Sequence, residues 1–332
     1  MSLLVSLFDM DTGSSKLDAP LDLIPGILRR AGLRPSGSIV QAPDDTANLI
    51  FFVDGEITIR IGRGADGECF PKSAQILERV GGQLRAPRVL STDFSREFCP
   101  ANVMVCEVLS GETLCSSWRH LTPWRRQQIF GGVVAELQKL HQFEPRLFSL
   151  CGVCEPWPQL FGDQLRQLFA KAAQRESVVP LETLERQIET AWPVMDSSRA
   201  AVVHNDVHWN NILVEEGEFS GLLDFDDAII GLPEIDLMSL LHSAAGAQEP
   251  QLPCVFSRPE LLRRTAAMVR EIWPEMFARP GFAQRYAILC AREILLILTE
   301  DVPWMSPDEA GEEARIMYEA CFVSPGLRAW IS

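Results

Sequence analysis

Apolar and polar positions follow two different periods along this chain. Leu23, Ile24, Ile27 and Leu28 recur at helical spacing, which predicts a short amphipathic helix over Asp22 to Leu33. A β pattern follows. Leu49 to Val53 and Glu56 to Ile61 are apolar, β-branched runs flanking Asp54-Gly55, and an Asp-Gly pair in that setting predicts a tight hairpin. Side chains alternate across a strand, so Ile57, Ile59 and Ile61 share one face while Thr58 and Arg60 share the other. Pro71 opens a further helix of about ten residues, which Gly81-Gly82 stops. Val103 to Val108 reads as another strand, ending at Leu109-Ser110-Gly111.

Beyond that strand the pattern turns helical. Thr122 can cap a helix in which Ile129, Val133, Leu137 and Leu140 keep one face. Residues 155–200 and the chain after Pro233 also carry helical patterns. Between them Ile212 to Val214 and Phe219 to Leu223 flank Glu215 to Glu218, a second hairpin inside a helical region. No repeat or low-complexity tract interrupts this order. The expected division is a tail over 1–18, a small α+β lobe over 19–108 and a larger, mostly helical lobe over 109–332.

Composition narrows the function class. The 332 residues are 47% hydrophobic and 23% charged, ordinary globular values for two domains or one bilobal unit. Net charge is −15, and the basic pairs Arg29-Arg30 and Arg125-Arg126 are isolated, which argues against nucleic-acid binding. Nine scattered cysteines do not form a disulfide framework. Cys151 and Cys154 have CxxC spacing, but no second pair of ligands completes a zinc site, so they read as reduced thiols. The first residues lack a basic, signal-like start. Tyr286 to Leu298, the most apolar run, is broken by Arg292 and Glu293, so no membrane span is expected. The expected compartment is the cytoplasm.

The candidate chemistry sits between Val202 and Asp227. Asp206 and Asn211 lie in a loop hemmed by apolar strands, where a carboxylate needs a partner or a task. Asp224 follows a run of strand residues with a buried pattern, so its carboxylate emerges at a sheet end. Phosphoryl transfer needs a carboxylate beside the attacking hydroxyl and oxygen ligands for magnesium. An Asp with an Asn five residues later offers both from one loop, and a second Asp on a neighbouring hairpin closes the metal site. This is the H-x-D-x-x-x-x-N pattern of kinases with its later metal-binding Asp. Asp206 is therefore the candidate catalytic base, and Asn211 and Asp224 the candidate magnesium ligands.

The run His204-x-Asp206-x-His208-x-x-Asn211-Ile-Leu, with Leu223-Asp224-Phe225 and Gly231-x-Pro233-x-x-Asp236-Leu237, resembles the aminoglycoside phosphotransferase and choline kinase-like family. Leu140-His141 at the end of the preceding helix adds to the likeness, which weakens over 48–111 and ends near 245. The resemblance implies a bilobal, protein-kinase-like fold with ATP (or GTP) and Mg2+ in the cleft, and a small-molecule hydroxyl as acceptor. It implies that Asp236 braces the catalytic loop, that Arg60 reaches the phosphates, and that Cys106, Glu107 and Val108 form the adenine hinge. It also puts a phosphate loop at Ala42 to Asn48, here without glycine. The family's helix Glu, partner of the strand cation, aligns with Ser73, leaving Glu68 and Glu78 as the available substitutes. Asp226 stands where protein kinases have the glycine of D-F-G.

Other readings remain open at this level. His204 suits a loop-bracing histidine, yet His204-x-Asp206-x-His208 also fits a metallohydrolase ligand set. The missing helix Glu leaves room for a nucleotide-binding pseudokinase. Asp226 and Asp227 fit turn residues, substrate contacts or further metal ligands. The carboxylates Glu300, Asp301, Asp308, Glu309, Glu312 and Glu313 form either a solvated face or a pocket for a cationic substrate such as an aminoglycoside.

Overall fold

Two tight turns shape the β-structure. Asp54 and Gly55 both take left-handed backbone angles (φ 55° and 72°), and the Glu56 N–H closes the turn onto the Val53 carbonyl at 3.1 Å. Glu216 and Gly217 repeat the device (φ 52° and 76°) in the second hairpin. Turns of this hand match the twist of the strands they join. The computed structural model describes residues 21–34, 37–42, 48–146, 157–175, 177–196, 199–246, 259–299 and 306–323.

The N-terminal region is a five-stranded antiparallel sheet. Its members are β1 (Ile39–Gln41), β2 (Leu49–Val53), β3 (Ile57–Ile61), β4 (Val89–Asp93) and β5 (Val103–Glu107), in the order β1-β2-β3-β5-β4. The two edge strands, β1 and β4, were not anticipated. Both are half-exposed along their length, so neither carries a clean apolar alternation. On one face of the sheet, Phe51, Ile59, Ile61, Val103 and Val105 pack against Ile24, Ile27 and Leu28 of α1 (Ile24–Arg30). That helix stops short of Leu33 because Gly32 turns left-handed (φ 73°), and the Leu33 N–H reaches back to the Leu28 carbonyl at 2.8 Å. On the other face lies α2 (Phe70–Val80). Its Phe70, Ala74, Ile76 and Leu77 join Met104 and Cys106 in a larger apolar cluster, which runs across residue 108 into the helical region.

That region follows β6 (Glu112–Thr113) and α3 (Leu114–Ser117) with α4 (Pro123–Leu140), which Thr122 caps by accepting the Arg125 N–H at 3.2 Å. Next come α5 (Trp157–Ala172), α6 (Leu181–Ala191) and α7 (Pro193–Asp196). Then β7 (Ala201–Val203), β8 (Ile212–Glu215), β9 (Glu218–Leu222) and β10 (Ile229–Gly231) interrupt the helices, pairing as β10-β7 and β6-β8-β9. Helix α4 lies directly on β9: a Cβ at Gly132 would sit 2.8 Å from Phe219 Cβ. The described residues close with α8 (Glu234–Gly246), α9 (Pro259–Ile272), α10 (Pro274–Phe277), α11 (Phe282–Thr299), α12 (Pro307–Tyr318) and a π-helical turn over Glu319–Val323. No described helix is long and apolar enough to cross a membrane. Within α11 the Arg292 and Glu293 side chains pair with each other at 2.6 Å.

His242 on α8 makes the fold acid-sensitive. Burial pushes its imidazole down to about 4, so the folded protein holds it neutral. The unfolded chain takes up that proton below about pH 6.5, so stability falls as pH drops from there towards 4, by at most about 1.4 kcal/mol per unit. Thermal unfolding across pH 4–8 should show this slope, and His242→Phe should reduce it without abolishing it, because burial also pushes the His208 imidazole down, to about 3.

Candidate active site

The loop from β7 to β8 is built around one carboxylate. Asp236, fully buried in the first turn of α8, accepts the backbone N–H of Asn205 at 2.7 Å and of His204 at 3.1 Å. A third bond, 2.8 Å, joins it to His141 Nε2 just past the end of α4. His204 is equally buried; its Nε2 donates to the Leu223 carbonyl at 2.9 Å and its Nδ1 accepts the Asp206 N–H at 3.3 Å. Both ring nitrogens are therefore occupied by the chain, which leaves none for a metal and removes the basis of the metallohydrolase alternative. Asn205 takes φ 67° and donates its side-chain amide to the Asp227 carbonyl at 3.0 Å, tying the loop to the segment after β9. Sequence reasoning passed over Asn205; a non-glycine residue at positive φ beside a site is uncommon and its short amide suits that conformation.

Asn211 joins the loop's two candidate functions. Its Nδ2 donates to Asp206 Oδ2 at 2.8 Å and to the Asp206 carbonyl at 3.1 Å. With the nitrogen end so engaged, the amide oxygen is the end left for a cation. The Leu223 N–H donates to the Asn211 carbonyl at 2.8 Å, which brings Asp224 beside the loop. Asp224 takes φ 61°, an angle that a short polar side chain tolerates.

Charge in the site is unbalanced. Burial, then the Asp226 charge, pushes the Asp224 carboxyl up to about 6 although Arg60 opposes it, and Asp206 adds to the repulsion. Burial, then Asp206 and Asp224, pushes Asp227 up to about 7. Four carboxylates thus act on one another against the guanidinium of Arg60 and the ammonium of Lys72, which reaches the site from α2 and eases the Asp227 charge. Among the described residues no three acid, histidine or cysteine side chains converge to hold a metal by themselves, so a hard cation here would rest on one carboxylate with the Asn211 amide oxygen and keep several waters. Lys72 was not singled out from the sequence, since nothing distinguishes it from an ordinary surface lysine there.

Arg60 does not pair as expected. Glu78 is exposed and Glu68 pairs with Arg96, so neither of the anticipated carboxylates reaches it. Its guanidinium binds Asp226 instead (Nη1–Oδ1 3.2 Å, Nη2–Oδ2 2.5 Å) and touches Asp224 Oδ1 at 3.3 Å. Burial alone would lower the Arg60 pKa; Asp226 and Asp224 together hold it above the usual arginine range. The hinge expectation also changes. The Glu107 N–H donates to the Arg88 carbonyl and the Val108 N–H to the Glu56 carbonyl (2.9 and 2.8 Å), so both are committed within the sheet and neither is a free donor to a base. Of the anticipated phosphate loop, residues 43–47 lie outside the described residues, as do Cys151, Cys154, Glu300 and Asp301. Downstream, Glu309 caps α12 by bonding Ser306, and Glu312 pairs with Arg315.

Comparison with known proteins bears on the family and the fold. The model of the "Phosphotransferase enzyme family" matches residues 38–271. No curated protein matches the sequence. Among solved structures, ADP-bound aminoglycoside phosphotransferase APH(2'')-Ib superposes with a TM-score of 0.60 at 14% identity, covering 92% of this chain and 99% of that one. The GDP complex of aminoglycoside 2'-phosphotransferase-IIIa gives 0.57 at 17%, covering 85% and 92%. The apoenzyme of macrolide 2'-phosphotransferase MphH from Brachybacterium faecium gives 0.50 at 17%, covering 85% and 99%. At these identities the likeness speaks for the fold, a protein-kinase-like one with a β-rich N-terminal region and a helical C-terminal region.

Proposed function

The chain belongs to the phosphotransferase enzyme family, and from that membership we propose that it moves the γ-phosphoryl group of ATP or GTP to a hydroxyl of a small molecule. The expected N-terminal lobe over 19–108 would cover the nucleotide, and the lobe over 109–332 would carry the catalytic loop and the acceptor. Asp206 is the proposed base. Its Oδ2 is held by Asn211, which leaves Oδ1 to orient the acceptor hydroxyl and take its proton. Asn211 and Asp224 would hold magnesium, which when bound offsets charge on the phosphates. Arg60 is the proposed phosphate contact. Cys106, Glu107 and Val108 would line the adenine through carbonyl oxygens and side chains, their N–H donors at 107 and 108 being spent in the sheet. Most of the rate would come from positioning and electrostatics.

The observation that carries this reading is the Asn211 bridge, one side chain tying the base to the metal-binding edge at 2.8 Å. Solved relatives in complex with kanamycin or streptomycin make aminoglycosides the first acceptors to test, and the macrolide enzyme makes macrolides the second. A net charge of −15 favours a cationic acceptor. An acceptor screen by ATP and GTP consumption, with mass spectrometry of the phosphorylated product, tests the activity. Asp224→Ala should weaken Mg2+-dependent nucleotide binding at least tenfold, on the order expected for a lost charged ligand; unchanged calorimetric affinity would remove Asp224 from the metal site.

A further inference from the structure

We propose that Asp226 is a positioning residue for Arg60, doing from the segment after β9 what a helix carboxylate would otherwise do from α2. The proposal rests on the phosphotransferase reading and deepens it. Two bonds, Nη1–Oδ1 and Nη2–Oδ2, make a fork-to-carboxylate pair of the strong, aimed kind. Both side chains are largely buried (15% and 13% exposed). The Phe70 ring lies against the guanidinium, 4.9 Å from its centroid, and limits where it can turn. Helix α2 brings no competing acid to Arg60: its Glu78 is exposed, and Ser73, which aligns with the helix Glu, is fully buried and its Oγ has no hydrogen-bond partner.

The pair joins residues 166 apart in sequence, one on the N-terminal sheet and one in the helical region. It therefore fixes Arg60 relative to the catalytic loop. It also limits the hold of Arg60 on Asp224, which shares the same Nη2 at the longer distance of 3.3 Å. Without the Asp226 charge, Asp224 is the remaining carboxylate in reach, and a guanidinium seated on it would compete with the cation that Asp224 is proposed to hold. Asp226 thus keeps the cationic side chain aimed and the metal ligand available.

The test is a double-mutant cycle of Arg60→Ala and Asp226→Asn, read by calorimetric titration with Mg·ATP and Mg·GTP and needing no acceptor. Each single variant should weaken nucleotide binding about tenfold, and the double should be no weaker than Arg60→Ala alone. Asp226→Glu keeps the charge but lengthens the arm; it should cost about threefold with Arg60 present and nothing in the Arg60→Ala protein. That comparison carries the test if Asp226→Asn does not fold. Losses that multiply in the double variant would make Asp226 a ligand in its own right and overturn the proposal. So would an Asp226→Asn protein with a lowered Tm and wild-type affinity. A wild-type protein that binds neither nucleotide would defeat the phosphotransferase reading itself, a result distinct from either.

Discussion

Asp206→Ala is expected to lower kcat by on the order of 10²–10⁴-fold, the usual weight of a positioned general base. Nucleotide affinity and thermal stability should stay close to wild type. The expectation follows from how little else depends on this carboxylate. Its Oδ2 accepts one side-chain bond, from Asn211 Nδ2, and that amide keeps a second acceptor in the Asp206 backbone carbonyl at 3.1 Å. Removing the carboxylate therefore leaves the loop tied, whereas the acceptor hydroxyl would lose the group proposed to orient it and take its proton. Steady-state kinetics with an acceptor found by the screen, beside calorimetry with Mg·ATP, separates the two effects. Turnover near that of the wild type would remove Asp206 from the chemistry.

Local signals were legible in the sequence and long-range pairings were not. The Asp54-Gly55 and Glu216-Gly217 turns, the Thr122 cap and the apolar faces of α1 and α4 are read from neighbours a few residues apart, and each forms as expected. The spacing of Asp206, Asn211 and Asp224 is likewise local, because one loop and one hairpin deliver all three. Arg60 illustrates the limit. Its outward parity on β3 is visible from alternation, but its partner lies 166 residues away, and the alignment pointed instead to acids near α2. The strand proposed to line the adenine shows the same limit. Strand β4 carries too few buried positions to be recognised, and the Arg88 carbonyl just before it takes the Glu107 N–H. With that edge strand unread, the sequence does not show that the Glu107 N–H is spent within the sheet. His141 was noted only as part of a resemblance; its bond to Asp236 explains why a histidine ends that helix.

Asp236→Ala should produce the opposite split from Asp206→Ala, a loss of stability of about 3–5 kcal/mol with activity lost as a consequence. Asp236 is fully buried and satisfies two backbone N–H groups and the His141 ring. Truncation strands all three donors in a site that water does not freely reach, and each costs its desolvation without return. The loop cannot easily follow the vacancy. The start of α8 is anchored by Glu234, itself fully buried and bonded to Arg285 at 2.7 Å and Arg279 at 3.1 Å. On the other side His141 stacks on Trp273, 5.7 Å between ring centroids. Held from both ends, the cavity stays open. Asp236→Asn keeps one acceptor oxygen and should cost clearly less than the alanine. Urea unfolding of both variants gives the ranking, and an alanine variant with the wild-type midpoint would mean that the three bonds are not what holds the catalytic loop in place.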